Sequence, residues 1–232
     1  MTENRVSVDA SEPIDLSFPV DPGHFRWSGQ RERTERLEEG APFTTTRFAQ
    51  SAHAFTHADA PSHVDRDGAD LATLPVSTWI GVASVLDVSS VPAGTAITAD
   101  DLDAAAGGRE LDELLLVSTG WDTRRSIDEP TYWSDAPWLD RGAATWLAAQ
   151  GPRAVGFDFP QDSGIRRAVA GEHPSREEFD SHDVLLRTGV SLIEYLRGLS
   201  ALPERVFLMA APAALVDSDG GPVRAVAFRL TP

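Results

Sequence analysis

Six histidines are spread along the 232-residue chain, and three of them fall within eleven residues, in Ser51-Ala-His53-Ala-Phe55-Thr-His57-Ala-Asp59-Ala-Pro61-Ser-His63. His53 and His57 are four apart, a spacing that shares one face of a helix. Pro61 and the β-branched approach favour instead a strand running into a loop, and such a loop can converge the same side chains. Two imidazoles and a carboxylate within seven residues are a nitrogen–oxygen donor set for a divalent cation. A solvated polar loop, or a hydrogen-bonded corner of the core, uses the same residue types. His63 follows at once and offers a group that titrates near neutrality. Of the others, His173 and His182 read singly as surface or loop histidines, and His24 is expected not to line the site.

Composition narrows the chemistry further. All 20 basic residues are Arg, and Lys and Cys are absent. That removes thiolate nucleophiles, disulfides, cysteine-ligated metals and lysine Schiff bases. There is no Gly-x-Ser-x-Gly elbow either, so metal-activated water is the simplest nucleophile left. The 36 acidic residues give a formal net charge of −16, which repels phosphate backbones and argues against a nucleic-acid partner. The charge is assigned to solubility, although adaptation to salt would give the same excess. The start of the chain lacks the basic and apolar regions of a signal peptide. The longest apolar run, Val206 to Val216, is too short to span a bilayer and contains Pro212. A cytoplasmic protein without membrane contact is expected.

The elements that must position these residues follow from pattern and punctuation. Strands are expected at Ile14–Phe18, Trp79–Val88, Leu114–Thr119, Arg153–Phe157, Val206–Ala210 and Val223–Leu230, with β-branched enrichment at Thr44–Phe48. Helices are expected from Thr98 to Ala106 and, capped by Asp140, from Arg141 to Gln150, stopping at Gly151. Ser191–Leu199 reads as a short helix whose Ser191 and Glu194 form a capping box. The sum is a single α/β domain over 1–232 with a mixed sheet, preceded by an irregular segment at about 1–45 broken by Pro13, Pro19, Pro22 and Pro42. Asp65-Arg-Asp67-Gly68-Ala-Asp70 echoes a calcium loop but lacks the later bidentate Glu, and reads as a turn.

The histidine segment resembles the signature His-x-Gly-Thr-His-x-Asp-x-Pro-x-His of the cyclase-like metallohydrolases, which include bacterial kynurenine formamidases and isatin hydrolases. Every fixed position matches except the Gly, which is Phe55. Asp15-Leu16-Ser17, Ser118-Thr119-Gly120-Trp121, Gly156-Phe157-Asp158, His182 with Leu185-Leu186, Ile193-Glu194-Tyr195-Leu196 and Asp219-Gly220-Gly221-Pro222-Val223-Arg224 follow in the family's order. The resemblance implies a swivelling β/β/α fold and metal ligation by His53, His57 and Asp59, joined by His182 and Glu194, with His63 as catalytic acid/base. It implies zinc, with manganese the alternative, as one or two ions, and a homodimer or homotetramer. It turns Glu194 from a helix cap into a ligand. The implied activity is hydrolysis of a small amide, lactam, lactone or ester, cyclic or aromatic. Kynurenine formamidase proper, a cyclase or dehydratase of secondary metabolism, and a non-catalytic metal binder are the alternatives.

Phe55 is the main departure. Gly permits backbone angles that Phe resists, so a different loop geometry and weak or no activity on N-formylkynurenine are expected. The Phe55 ring is expected to narrow the pocket or to stack on an aromatic substrate beside Trp121. Asp158, in Asp158-Phe-Pro-Gln-Asp162, is expected at the pocket wall or just behind the ligands.

Overall fold

The computed structural model describes residues 6–231; residues 1–5, at the head of the segment expected to be irregular, and Pro232 lie outside them. In chain order the strands are β1 (Ser7–Asp15), β2 (Gln30–Glu35), β3 (Thr45–Ala49), β4 (His57–Asp59), β5 (Ile80–Asp87), β6 (Ala96–Ile97), β7 (Leu114–Ser118), β8 (Trp138–Leu139), β9 (Ala154–Phe157), β10 (Ser191–Glu194), β11 (Arg205–Met209), β12 (Gly220–Pro222) and β13 (Val226–Thr231). The helices are α1 (Ala99–Ala106), α2 (Trp121–Arg124), α3 (Thr131–Ser134), α4 (Arg141–Ala149) and α5 (Ser163–Val169).

Nine strands form one mixed sheet in the order β1-β13-β11-β5-β7-β9-β10-β4-β12. Its centre, β5-β7-β9-β10, is parallel, and both flanks are antiparallel. The centre reads as unbroken apolar sequence because it is covered on both faces: Leu114–Ser118 and Ala154–Phe157 are buried throughout. One face packs under α1, α4 and α5 with Leu102, Leu147 and Ile165, and the other under Leu16, Trp79, Leu196 and Leu199. Among the described residues no helix is long and apolar enough to cross a membrane.

Capping chemistry placed the two longer helices correctly. Thr98 accepts from the Asp101 amide while the Asp101 carboxylate accepts from Thr98, and Asp140 accepts from the Ala143 amide at 2.7 Å. Gly151, at φ 68°, follows the end of α4 in the left-handed region.

Two expectations fail. Ser191–Leu199 is not a helix: Ser191–Glu194 is β10, parallel to β9 and antiparallel to β4. All four residues are buried, so the strand shows no polar–apolar alternation, and the Leu192/Leu196/Leu199 stripe that mimics a helix spans a strand and the loop after it. Ladder pairing outweighs the local cap. Residues 6–45 are also more ordered than their prolines suggest. The first strand ends at Asp15 rather than Phe18; β1 pairs with β13 as an exposed edge, shifting register between Asp9 and Ile14, and its polar composition concealed it. β2 pairs with β3 in an exposed hairpin.

The two residues expected beside the pocket hold the fold instead. Trp121 is wholly buried in the core and donates its Nε1–H to the Tyr132 carbonyl at 2.7 Å. Asp158 is wholly buried where β7 and β9 end, accepting from the Thr119 amide (2.9 Å) and hydroxyl (2.8 Å) and the Gly120 amide (2.8 Å). Burial pushes its carboxyl up to about 6 despite these donors. Asp158→Ala leaves two buried amides without acceptors, at a cost of roughly 2–5 kcal/mol. It should therefore lower the melting temperature by about 5–15 °C in a thermal scan; an unchanged melting temperature would contradict this clamp role.

Candidate metal centre

Strand β4 carries His57 and Asp59 two apart, so both side chains leave the same face. Its neighbour β10 sets Glu194 opposite His57, and its other neighbour β12 sets Gly220 opposite Asp59. Placing Glu194 on the end of a parallel strand, with Gln161 and Asp162 following β9, gathers the polar residues at the carboxyl ends of the central strands.

The geometry brings all five expected ligands together. His53 Nδ1 lies 2.7 Å from Asp59 Oδ1, and His57 Nε2 lies 3.2 Å from the same oxygen. Asp59 Oδ2 faces His182 Nε2 at 3.5 Å, and that nitrogen lies 3.2 Å from Glu194 Oε1. Glu194 Oε2 is 3.6 Å from His57 Nε2. His53, His57 and Asp59 form one cluster of possible ligands, and Asp59, His63 and His182 a second. Asp59 and His57 are buried, yet His57 Nε2 and Asp59 Oδ2 have no hydrogen-bond partner. Buried polar atoms of this kind are normally satisfied. A buried imidazole nitrogen and a buried carboxylate oxygen without partners, side by side in one cluster, are what a bound cation would satisfy.

Neighbouring acceptors fix the imidazoles. His57 donates Nδ1–H to the Phe55 carbonyl at 2.7 Å, which leaves Nε2 free to ligate. His182 meets Asp162 through Nδ1, and Asp162 also accepts from the Ser181 amide and hydroxyl, each at 2.7 Å. Gln161 donates to Glu194. Asp219 Oδ2 accepts from two histidines at once, His53 Nε2 at 3.0 Å and His63 Nδ1 at 2.9 Å. Asp219 enters the sequence reading only as part of a segment that resembles the family, with no role of its own; the pairing of the adjoining β12 with β4 brings it to the histidines. His63 sits with its ring centroid 4.0 Å from that of His53 and is partly exposed. His24 is buried away from the ligands against Trp27 and Phe55, and Asp65–Gly68 is a turn, as expected.

Phe55 departs from expectation in an instructive way. It adopts φ 55°, a left-handed backbone that Gly takes without cost, so the Phe side chain does not bar this residue from the region open to Gly. A non-glycine residue there costs about 1–2 kcal/mol. The ring is buried against Trp27 at 4.8 Å, and the carbonyl is thereby aimed at His57. Tyr195, at φ 53°, is the matching bend after β10, and its carbonyl accepts from the Thr56 hydroxyl at 2.6 Å. Phe55 lines a separate hollow of about 880 Å³ with Phe18 and Ile127, while the ligands line a cleft of about 190 Å³ with Arg26, Ile165, Phe179 and Tyr195. Neither Phe55, Trp121 nor Asp158 walls that cleft.

Residues 14–161 match the family described as "Putative cyclase". The chain is also 32% identical over 219 residues to the kynurenine formamidase of Erythrobacter litoralis, covering 91% of each chain. It belongs to the cyclase family. The kynurenine formamidase of Geobacillus thermodenitrificans is 29% identical, with 94% of this chain and 95% of the relative covered. Isatin hydrolase A from Labrenzia aggregata shares the fold at a TM-score of 0.78 and 20% identity, over 94% of this chain and 93% of its own.

Charges in the cluster set the protonation of the metal-free cyclase-family centre. Burial works against the His53 cation, but the hydrogen bond and charge of Asp59, then those of Asp219, carry it up to about 9. Burial likewise opposes the His57 and His182 cations, yet Asp59 raises the first and Glu194, then Asp162, raises the second. Burial would raise Asp59, but the His57 charge beside it and the close approach of His182 and His53 hold it well below its ordinary value. A raised pKa means a proton that must leave before the nitrogen can ligate. Zinc titration near pH 7 should therefore release roughly two to three protons, and affinity should climb with pH through the range, about 9, in which His53 loses its proton. Calorimetry in buffers of different ionisation enthalpy measures this; heats independent of buffer would refute it.

Gly220 makes room for His53, since a Cβ there would stand 2.5 Å from His53 Cε1 and 2.9 Å from the Ala58 carbonyl oxygen. Gly220→Ala should weaken zinc binding about 10–100-fold by tilting the ring. An unchanged dissociation constant would show that His53 is not a ligand.

Proposed function

We propose that the chain is a metal-dependent hydrolase of a small aromatic amide, working in the 190 Å³ cleft. The observation that carries this is the buried Asp59, whose two oxygens each face a histidine pair or a histidine–glutamate pair with no proton donor assigned to Oδ2. His53, His57 and Asp59 would hold one ion, and Asp59, His182 and Glu194 a second, with zinc the metal of choice for a nitrogen–oxygen set and manganese the alternative. Bound there, a divalent ion acidifies water and polarises the scissile carbonyl.

The chain's own groups supply the rest. Asp219 accepts from His63 Nδ1, which leaves Nε2 as the nitrogen that would act as the base. His63 takes a proton from the attacking water and returns it to the departing nitrogen, and Asp219 stabilises the imidazolium between the two transfers. Phe179, Ile165 and Tyr195 give the cleft an apolar wall that suits a flat ring and keeps water away from the reacting bond. The amide preference draws on relatives named kynurenine formamidase. Because Phe55 holds a backbone angle open to Gly and does not line the cleft, N-formylkynurenine belongs in the substrate panel with formanilide and isatin.

Self-association also fits. The β2–β3 hairpin is exposed on both strands, and Phe43 and Phe48 stand 59% and 63% exposed, more apolar surface than an isolated hairpin sustains. A homodimer or homotetramer in the cytoplasm is the state this reading adopts.

Chelation should abolish hydrolysis across the panel, and added zinc or manganese should restore it. Metal-independent turnover, or none with any panel member, would overturn the reading. His63→Ala should lower kcat by about 10²–10⁴-fold while zinc content stays at the wild-type level. Near-normal kcat in that variant would remove His63 from proton transfer.

A further inference from the structure

Arg26 is the one permanent cation among the described residues that line the metal cleft. Its backbone is pinned: its amide donates to His24 Nδ1 at 3.2 Å, and His24 in turn donates from Nε2 to the Ile127 carbonyl at 2.9 Å. The guanidinium lies over the indoles of Trp27 and Trp133, 5.6 and 5.4 Å from their ring centroids. Its Nε is buried and has no acceptor. Other arginines of the chain meet acids directly, Arg205 with Asp112 and Arg224 with Asp15 among them. Arg26 shares a cleft with Asp59 and Glu194 and is paired with neither, because both acids are occupied by histidines.

A desolvated guanidinium donor without an acceptor carries a free-energy cost that an arriving oxyanion removes. Cation–π stacking on two indoles holds the group in position without consuming its hydrogen bonds. Its planar fork matches a carboxylate, with two parallel N–H···O bonds. The remaining lining, Ile165, Phe179 and Tyr195, is suited to a ring. We propose that Arg26 is a specificity residue that binds a carboxylate on the substrate, so that the preferred substrates are aromatic amides bearing an anionic group. This inference rests on the reading of the cleft as that of an amide hydrolase and narrows its substrate class.

The test separates the two claims. Acetophenone and 2-, 3- and 4-acetylbenzoate resemble aryl amides but cannot be hydrolysed, and their binding to the zinc-loaded protein is measured by calorimetry. At least one acetylbenzoate should bind ten-fold or more tightly than acetophenone. Arg26→Met should close that gap while leaving acetophenone within three-fold, and Arg26→Lys should restore part of it. No preference for the anion in the wild type, or a preference that survives in Arg26→Met because the metals hold the anion, overturns the proposal. In parallel, kcat/KM for the matching formamidobenzoate should fall ten-fold or more in Arg26→Met, with formanilide little changed. Equal losses on both substrates would make Arg26 structural and overturn the assignment. An Arg26-dependent anion preference in binding, without hydrolysis of any amide, would uphold the subsite and refute the hydrolase reading.

Discussion

Asp59 is a fully buried carboxylate placed on the middle of three paired strands, and the architecture of the site follows from keeping that charge compensated. An isolated buried carboxylate is prohibitive unless cations or donors surround it. Here the histidines arrive from four directions: His57 along β4 itself, His53 from the preceding loop, His182 from the π-helical turn His182–Leu186, and His63 beside them. Protons favoured on His53, His57 and His182 compensate the acids, and a divalent ion would take the place of those protons. Compensation by protons and compensation by metal are thus two states of one cluster.

Strand register enforces this arrangement. Alternation along β4 keeps His57 and Asp59 on one face, the β10 partner of His57 is Glu194, and the β12 partner of Asp59 is Gly220, whose missing side chain leaves the space His53 fills. A one-residue slip of β10 or β12 would turn Glu194 away or drive a side chain into His53. Around this frame stand acceptors that choose the tautomers: Phe55 for His57, Asp162 for His182, and Asp219 for both His53 and His63. The last joins His53, a proposed ligand, to His63, the proposed proton carrier, through a single oxygen. Left-handed backbone at Phe55 and Tyr195 is strain retained where it aims carbonyl groups at the site.

Much of this was legible in the sequence where the determinants are local. His53, His57, Asp59 and His63 lie within eleven residues, and caps at Thr98 and Asp140 locate α1 and α4. Glu194 was legible only through family resemblance, because its own neighbourhood imitates a helix cap; long-range pairing with β4 and β9 decides its conformation. Asp219 lies 156 residues from His63, so no local pattern announces that bond. Trp121, Asp158 and Phe55 were misplaced for a shared reason: large or charged residues near a motif suggest a pocket, yet these three satisfy buried amides, fill the core or set a backbone angle. Arg26, in an otherwise unremarked stretch, enters the cleft only because His24 and two indoles fix it there.

The central claim is that Asp59 organises the centre by offering one oxygen to each of two donor sets. Anomalous diffraction from zinc-soaked crystals tests it most directly. The account predicts zinc at about 2.0–2.2 Å from an Asp59 oxygen, with His53 and His57 on one side and His182 and Glu194 on the other. Zinc bound elsewhere, with Asp59 still held only by protonated histidines, would contradict it.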